Sequence, residues 1–340
     1  MLSASLLSQS KGTRVGMYEQ NDQYLLQLQR KAMACDWEVL LPKNSPDFAA
    51  EVAVEALGLL ERLENCWSIY RPHSELSRLN SQNSVLQYGI SDDVCELILA
   101  GMEAYQWTNG GFDITSGSLT DAWGFSRQKA RKPDPGEIEE ALQRVGTSQI
   151  ELDVGAKQIS FRKPGLKINP GGIGKGLALE RIARWLSDSG LENFLIHGGK
   201  SSIRAFGERR LGSGMGWPIA LRNPANPDQV LGKIHLRNQA IGTSGHAHQF
   251  FHYQGVRYGH VIDPRSGYPV QGIESVTVIA PNATLADALA TGLYVLGPSQ
   301  WELFAQRYPE IGIIGLIPAR RSGTVDIQLW NIDEGAWETV

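Results

Sequence analysis

Apolar residues recur along this chain in two rhythms, one of three to four residues and one of two, and the rhythms do not alternate in strict order. Phe48 to Trp67 carries Val52, Ala56, Leu59, Leu63 and Cys66 at helical spacing, with Glu51, Glu55 and Arg62 off that stripe, which predicts an amphipathic helix packed on a sheet. A second helix is predicted from Ser91, with Asp92 and Asp93 in its first turn, a stripe of Val94, Ile98, Met102 and Tyr105, and an end near Asn109-Gly110-Gly111. Asp134-Pro135-Gly136-Glu137 offers an N-cap, a proline at N1 and an acid at N3, so a short helix should run to Gly146. Further helices are expected over Leu177 to Ser189, closed by Gly190, and over Ser299 to Arg307.

The two-residue rhythm predicts strands at Met33 to Pro42, Leu166 to Ile168, Asn193 to His197, Pro218 to Arg222, Val230 to Leu236, Ser275 to Ala280, Gly312 to Ile317 and Val325 to Trp330. Ile150 to Phe161 reads as a hairpin about Val154-Gly155. Residues 1–30 are polar and are expected to be a poorly ordered tail, leaving 31–340 as the folded domain. The stretch IYRPHSELSRLNSQ loses its period and reads as a surface loop. Strands and helices mixed without βα alternation favour an α+β fold of mixed, mainly antiparallel sheets flanked by helices. At 340 residues two lobes are plausible.

Three stretches carry candidate chemistry. Asp287 and Thr291 lie four residues apart on a helix expected to open at Thr284, so a carboxylate and a hydroxyl can converge on one object, and such hard oxygens suit Mg2+ or Ca2+. The competing account is a capping box, with Thr284 as N-cap and Asp287 at N3. INPGGIGKG joins a strand end, a glycine-rich turn, a lysine and a helix start, the arrangement that offers backbone N–H groups to phosphate, although its spacing is neither that of a Walker loop nor that of a dinucleotide fingerprint. His246, His248 and His252 have strand spacing for a metal but read better as exposed histidines of a polar hairpin.

Composition narrows the classes. With 42% hydrophobic and 20% charged residues the chain is globular, and a net charge of -4 argues against a nucleic-acid partner. Cys35, Cys66 and Cys95 are odd in number and widely spaced, so reduced thiols are expected. With neither a signal peptide or lipobox nor an apolar run long enough for a membrane span, a cytoplasmic location is expected.

Five blocks in order, SIYRPHSELSRLN, GGFDITSGSLTDAWGF, INPGGIGKGLALERI, GTSG followed by HVIDPRSGYPV, and ADALATGLYVLG, resemble those of the FAD:protein FMN transferase (ApbE-type) family, across roughly Met33 to Ile317. The resemblance implies a flavin transferase domain over 31–340 with FAD in a cleft between two lobes. It implies Mg2+-dependent transfer of FMN from FAD to a Ser or Thr hydroxyl of an acceptor protein, with release of AMP. An FAD pyrophosphatase giving FMN and AMP, or a flavin-binding protein without turnover, are the alternatives.

By motif position the family's flavin contacts map to Met33, Tyr70, Gly111, Phe112, Asp113, Lys175 and Ile262, with Asn169 on the flavin edge or the adenosine. Its metal positions map to Asp287 and Thr291, with the backbone carbonyls of Gly172 and Ala290. The catalytic candidates are Asp287 and His260. An acceptor hydroxyl must lose its proton as it attacks phosphorus, which a neutral imidazole can take, and Asp263, Pro264 and Pro269 follow His260 closely enough to orient its ring. Two positions depart from the family pattern: Asn169 stands where Asp is common, and Lys200 where Asp or Asn is usual.

Overall fold

The computed structural model describes residues 7–10, 12–20, 23–82, 86–127, 129–245, 249–319, 324–333 and 335–339. Its centre is a ten-stranded sheet in the order Leu7–Ser10, Thr13–Gln20, Gln23–Ala32, Cys35–Pro42, Phe194–Gly198, Ser202–Phe206, Ala240–Gly245, Ser275–Ala280, Gly312–Pro318 and Val325–Trp330, antiparallel at every pairing. Successive side chains of a strand point to opposite faces, so each buried strand feeds two cores. In Cys35–Pro42, for example, Trp37, Val39 and Leu41 enter the main core while Leu40 packs on the other side.

The main core lies under the helices Ala49–Trp67, Asp92–Trp107, Gly174–Asp188, Ala283–Leu296 and Pro298–Arg307. The opposite face is closed by a second sheet, Trp217–Asn223, Asn226–Leu236 and Trp337–Thr339, whose Trp217, Ile234 and Leu236 pack on Leu195, Ile203 and Ile279. A smaller core gathers Leu119, Trp123, Ile138, Ala141 and Ile262, with Phe251 and Tyr258 of the hairpin Phe250–Tyr253/Val256–Gly259 against it. The α+β architecture of mainly antiparallel sheets flanked by helices is therefore the one expected.

Several local expectations change. The first 30 residues are not wholly a loose tail: Thr13–Gln20 and Gln23–Ala32 pair with each other, and the latter pairs with Cys35–Pro42. The polarity of this stretch misled because Gln27 and Gln29 face outward and donate to the carboxylate of Glu38 at 2.8 and 3.0 Å, while Leu28 is fully buried on the other face. Met33 opens no strand; with Ala34 it forms the two-residue turn of that hairpin, both at positive φ of 49° and 59°, the handedness that matches strand twist.

Within the expected loop, Glu75–Gln82 is helical, and Leu166–Ile168 is reduced to an isolated bridge between Lys167 and Ser116. The stripe of Ala49–Trp67 is rotated by about one residue, burying Ala53, Leu57 and Leu60 rather than Val52 and Leu59. The capping box at Asp134 and Glu137 and the N-cap at Ser91 form as expected. Cys35, Cys66 and Cys95 are free thiols. Among the described residues no helix is long and apolar enough to cross a membrane.

The outer-face cluster around Glu38 gives a pH-dependent expectation. The hydrogen bond from His197 Nε2, 3.1 Å away, is the main influence holding the Glu38 carboxyl below its ordinary value of 4.5, with Gln27 assisting. A depressed carboxylate stabilises the fold fully above its unfolded pKa and loses that contribution as pH falls through the folded value. Glu38→Gln should therefore melt below the parent at pH 7, and the gap should close as the medium is acidified below pH 4.5. Thermal melts followed by circular dichroism across this range check it; a gap independent of pH would refute the assignment.

Candidate functional site

The site begins where two helices meet end to side. Helix Ala283–Leu296 follows the fully buried strand Ser275–Ala280, and Asn282 caps it by accepting from Leu285 N at 2.9 Å. The cap is thus Asn282 rather than Thr284, and Asp287 lies beyond the first turn of its own helix. Its carboxylate instead caps a different helix: Oδ2 accepts from Gly176 N at 3.0 Å, one of the otherwise unpaired donors at the start of Gly174–Asp188. That helix starts three residues earlier than its pattern suggests, because Gly174-Lys175-Gly176 forms its first turn and Ile173 supplies no side-chain cap.

Glycine makes this approach possible. A Cβ at Gly176 would strike the carbonyl of Ala283, and one at Gly242, on the strand beneath, would strike that of Ala286. Asp287 is only 4% exposed, and a charge so buried needs donors. Ser202 Oγ donates to Oδ1 at 2.8 Å, and Lys175 Nζ stands 3.9 Å from the same oxygen. One turn along, Thr291 Oγ1 lies 2.9 Å from Ser244 Oγ, and Gly172 abuts both Thr291 and Phe112.

Hard oxygens therefore cluster here: the Asp287 carboxylate, the hydroxyls of Thr291, Ser244 and Ser202, and the backbone of Gly172. Among the described residues no group of three or more His, Cys, Asp or Glu could cage a metal. The donor set suits a cation that takes one carboxylate, neutral oxygens and the oxygens of its own ligand, as Mg2+ does with phosphates. Ala290, with a fully buried side chain, adjoins Thr291 on the same helix.

From Thr291 a cleft opens that is lined by Gly111, Phe112, Asp113, Ser116, Asn169, Gly171, Gly172, Ile262 and Pro264. It lies where the small core, through Ile262, meets the main one, through Phe112. Most of the residues expected to hold a flavin thus fall together. Asp113 lines the cleft but its carboxylate is engaged locally, accepting from Thr115 Oγ1 at 2.5 Å and Thr147 Oγ1 at 2.7 Å, so it secures the loop. Asn169 donates to Thr120 Oγ1 at 3.1 Å and accepts from Gly171 N at 3.0 Å, a pair of roles that an ionised Asp could not fill.

Other expected residues stand outside this lining. Tyr70 is 67% exposed, and Met33 is half-buried in its turn. Lys200 sits at φ 64° in the turn after Gly199, where its charge helps to lower the Glu38 carboxyl. His260 Nδ1 lies 3.3 Å from the carbonyl of Gln249, and its ring meets Phe125 edge-on. Asp263 accepts from Arg265 Nε at 2.9 Å and Nη2 at 2.8 Å. His252 is exposed beside Phe250, while His246 and His248 lie outside the described residues.

Sequence reasoning gave no role to Ser202, Ser244 or Asn80. The Asn80 amide clamps the extended segment entering the glycine loop, donating to Ile168 O and accepting from Ile168 N, both at 2.8 Å. Its place in SELSRLN and that of Ser244 in GTSG were the available signals; for Ser202, on a strand that the sequence pattern did not predict, there was none.

The sequence model of the ApbE family matches residues 33–314. The FAD:protein FMN transferase of Haemophilus influenzae is 31% identical over 288 residues, covering 82% of this chain and 82% of that protein. Among solved structures, the flavin transferase ApbE from Vibrio cholerae aligns with a TM-score of 0.77 at 27% identity, covering 90% of this chain and 97% of that one. The ApbE protein from Thermotoga maritima aligns with a TM-score of 0.79 at 28% identity, covering 89% and 96%.

The helix contact predicts opposite outcomes for two glycine substitutions. Gly176→Ala should destabilise by about 1–3 kcal/mol, because the added methyl forces the helices apart. Gly58→Ala, with nothing within 4 Å of the new methyl, should stabilise by up to about 1 kcal/mol through helix propensity. Urea unfolding of both variants checks the pair, and a neutral Gly176→Ala would contradict the close approach.

Proposed function

The chain belongs to the ApbE family, and on that premise we propose that it transfers FMN from FAD to a Ser or Thr hydroxyl of an acceptor protein, releasing AMP. The observation that carries this is the buried Asp287 carboxylate, set at the start of the glycine-loop helix beside Lys175 and opening through Thr291 into the cleft. Phosphoryl transfer asks a protein for positioning and charge neutralisation more than for covalent chemistry. Helix Gly174–Asp188 offers its positive end and Lys175 offers a cation, which suits a pyrophosphate.

The isoalloxazine is assigned to the cleft between Phe112 and Ile262, with Tyr70 and Met33 as outer contacts and Gly111, Asp113 and Asn169 shaping its edge. Mg2+ fits the oxygens of Asp287 and Thr291 with the backbone carbonyls of Gly172 and Ala290, and when bound it would neutralise charge developing on the phosphoryl oxygens. His260, whose Nδ1 lies 3.3 Å from the Gln249 carbonyl, is the imidazole assigned to take the acceptor's proton. The departures at Asn169 and Lys200 are consistent with turnover: Asn169 uses both ends of its amide, and Lys200 has Glu38 as its counter-charge.

Incubation with FAD, Mg2+ and an acceptor protein should yield flavin covalently bound to protein, together with AMP. Free FMN plus AMP would indicate a pyrophosphatase, and intact FAD a binding protein. Asp287→Asn should abolish turnover yet melt closer to the parent than Asp287→Ala, because the amide oxygen still accepts from Gly176 N, whereas an unpaired buried donor costs about 1–3 kcal/mol. An active Asp287→Asn enzyme would reduce the residue to a cap.

His260→Ala should keep FAD and Mg2+ affinity but lose roughly 10²- to 10⁴-fold in rate, the span usual for a lost general base. Stopped assays across pH read this directly. A variant with near-parental transfer and an unchanged pH profile would exclude His260 as the base.

A further inference from the structure

The joint between the two helices has a second half. Ala283 N, at the start of the helix that carries Asp287, donates to Glu180 Oε2 of the glycine-loop helix at 2.9 Å. Gly176 N, at the start of the glycine-loop helix, donates to Asp287 Oδ2 at 3.0 Å. In each helix the carboxylate stands four residues beyond the amide it leaves to its neighbour, so the two helices exchange caps. Asn282 already caps Ala283–Leu296 within that segment, so the Glu180 bond is not needed to form the helix. What it adds is a tie between one helix and the other.

A single strand braces both carboxylates. In Ser202–Phe206, Ser202 Oγ donates to Asp287 Oδ1 at 2.8 Å, and Arg204 Nε lies 3.2 Å from Glu180 Oε2. Two residues along a strand advance about 6–7 Å and four along a helix about 6 Å, so the rungs match. Arg204 is 5% exposed and its guanidinium sits 4.2 Å above the Phe206 ring, which leaves it little freedom.

We propose that Glu180, held by Arg204, is a positioning residue for the reaction: it fixes the first turn of Ala283–Leu296 against the glycine-loop helix and so sets where Asp287 and Thr291 stand. The inference rests on the function proposed above. Without the tie, Asp287 keeps its own bond to Gly176, but the helix start can swing, and displacements near 1 Å at a reacting centre are enough to lose about 10²-fold in rate.

The test compares the parent with Glu180→Ala, Glu180→Gln and Arg204→Lys. Three quantities are measured: Mn2+ affinity in the presence of FAD, FAD affinity without metal, and kcat and KM for FMN transfer. Glu180→Ala should weaken Mn2+ binding and lower kcat by about 10- to 100-fold, the order lost when a support behind a metal site is removed. Its KM for FAD and its metal-free FAD affinity should stay within about twofold, since the flavin cleft is untouched. Glu180→Gln, whose amide oxygen still accepts from Ala283 N, should recover most of both losses, and Arg204→Lys should fall between.

Parental kcat and Mn2+ affinity in folded Glu180→Ala would overturn the proposal, as would Glu180→Gln failing as badly as Glu180→Ala. Should Glu180→Ala not fold, Arg204→Lys decides: parental values in that variant also overturn it. If the parent itself transfers no FMN, the functional reading fails, while the Mn2+ comparison still decides the positioning role.

Discussion

A buried carboxylate shared between two helices is the constraint on which the site depends. Asp287 is withdrawn from water, and the cost of desolvating a charge is recovered only if its oxygens find donors. Those donors come from two separate places: the first turn of the glycine-loop helix, through the amide of Gly176 and, at longer range, the ammonium of Lys175, and the central sheet, through the hydroxyl of Ser202. Satisfying one side chain therefore fixes the distance between two helices and the height of both above the sheet. Glycine at 176 and 242 follows from this, because the backbones approach closer than any side chain permits.

The sheet in turn explains why the helix can be held so firmly. Every position of Ser275–Ala280 is buried, since helices cover one face and the smaller sheet around Trp217 covers the other. Polar side chains in such a strand must pair with each other, as Thr277 does with Thr243 at 2.9 Å.

Patterns that depend on one element alone were legible in the sequence. The capping box at Asp134, the N-cap at Ser91 and the hairpin about Val154-Gly155 need only local chemistry, and they form as their residues dictate. Features that depend on a distant partner were not. Gln27 and Gln29 look like tail residues until Glu38 and His197 are placed beside them, and Asp287 looks like a cap for its own helix until Gly176 arrives from 111 residues away. Asp113 is similar: its position on the cleft was legible from its motif, but the use of its carboxylate by Thr115 and Thr147 was not.

The order of strands also bears on how the molecule is made. Cys35–Pro42 has one neighbour close in sequence, but its other neighbour is Phe194–Gly198, and the His197 to Glu38 contact spans 159 residues. At ribosomal speeds of about 5–20 residues per second, that partner emerges on the order of 10 s later. During that interval the nascent N-terminal meander presents an unpaired edge along Cys35–Pro42, and one of its faces carries Trp37, Val39 and Leu41. The outward-facing Glu38 and the glutamines beside it put charge and polarity on that ribbon, which disfavours pairing with a stranger while the rest of the sheet is still being synthesised.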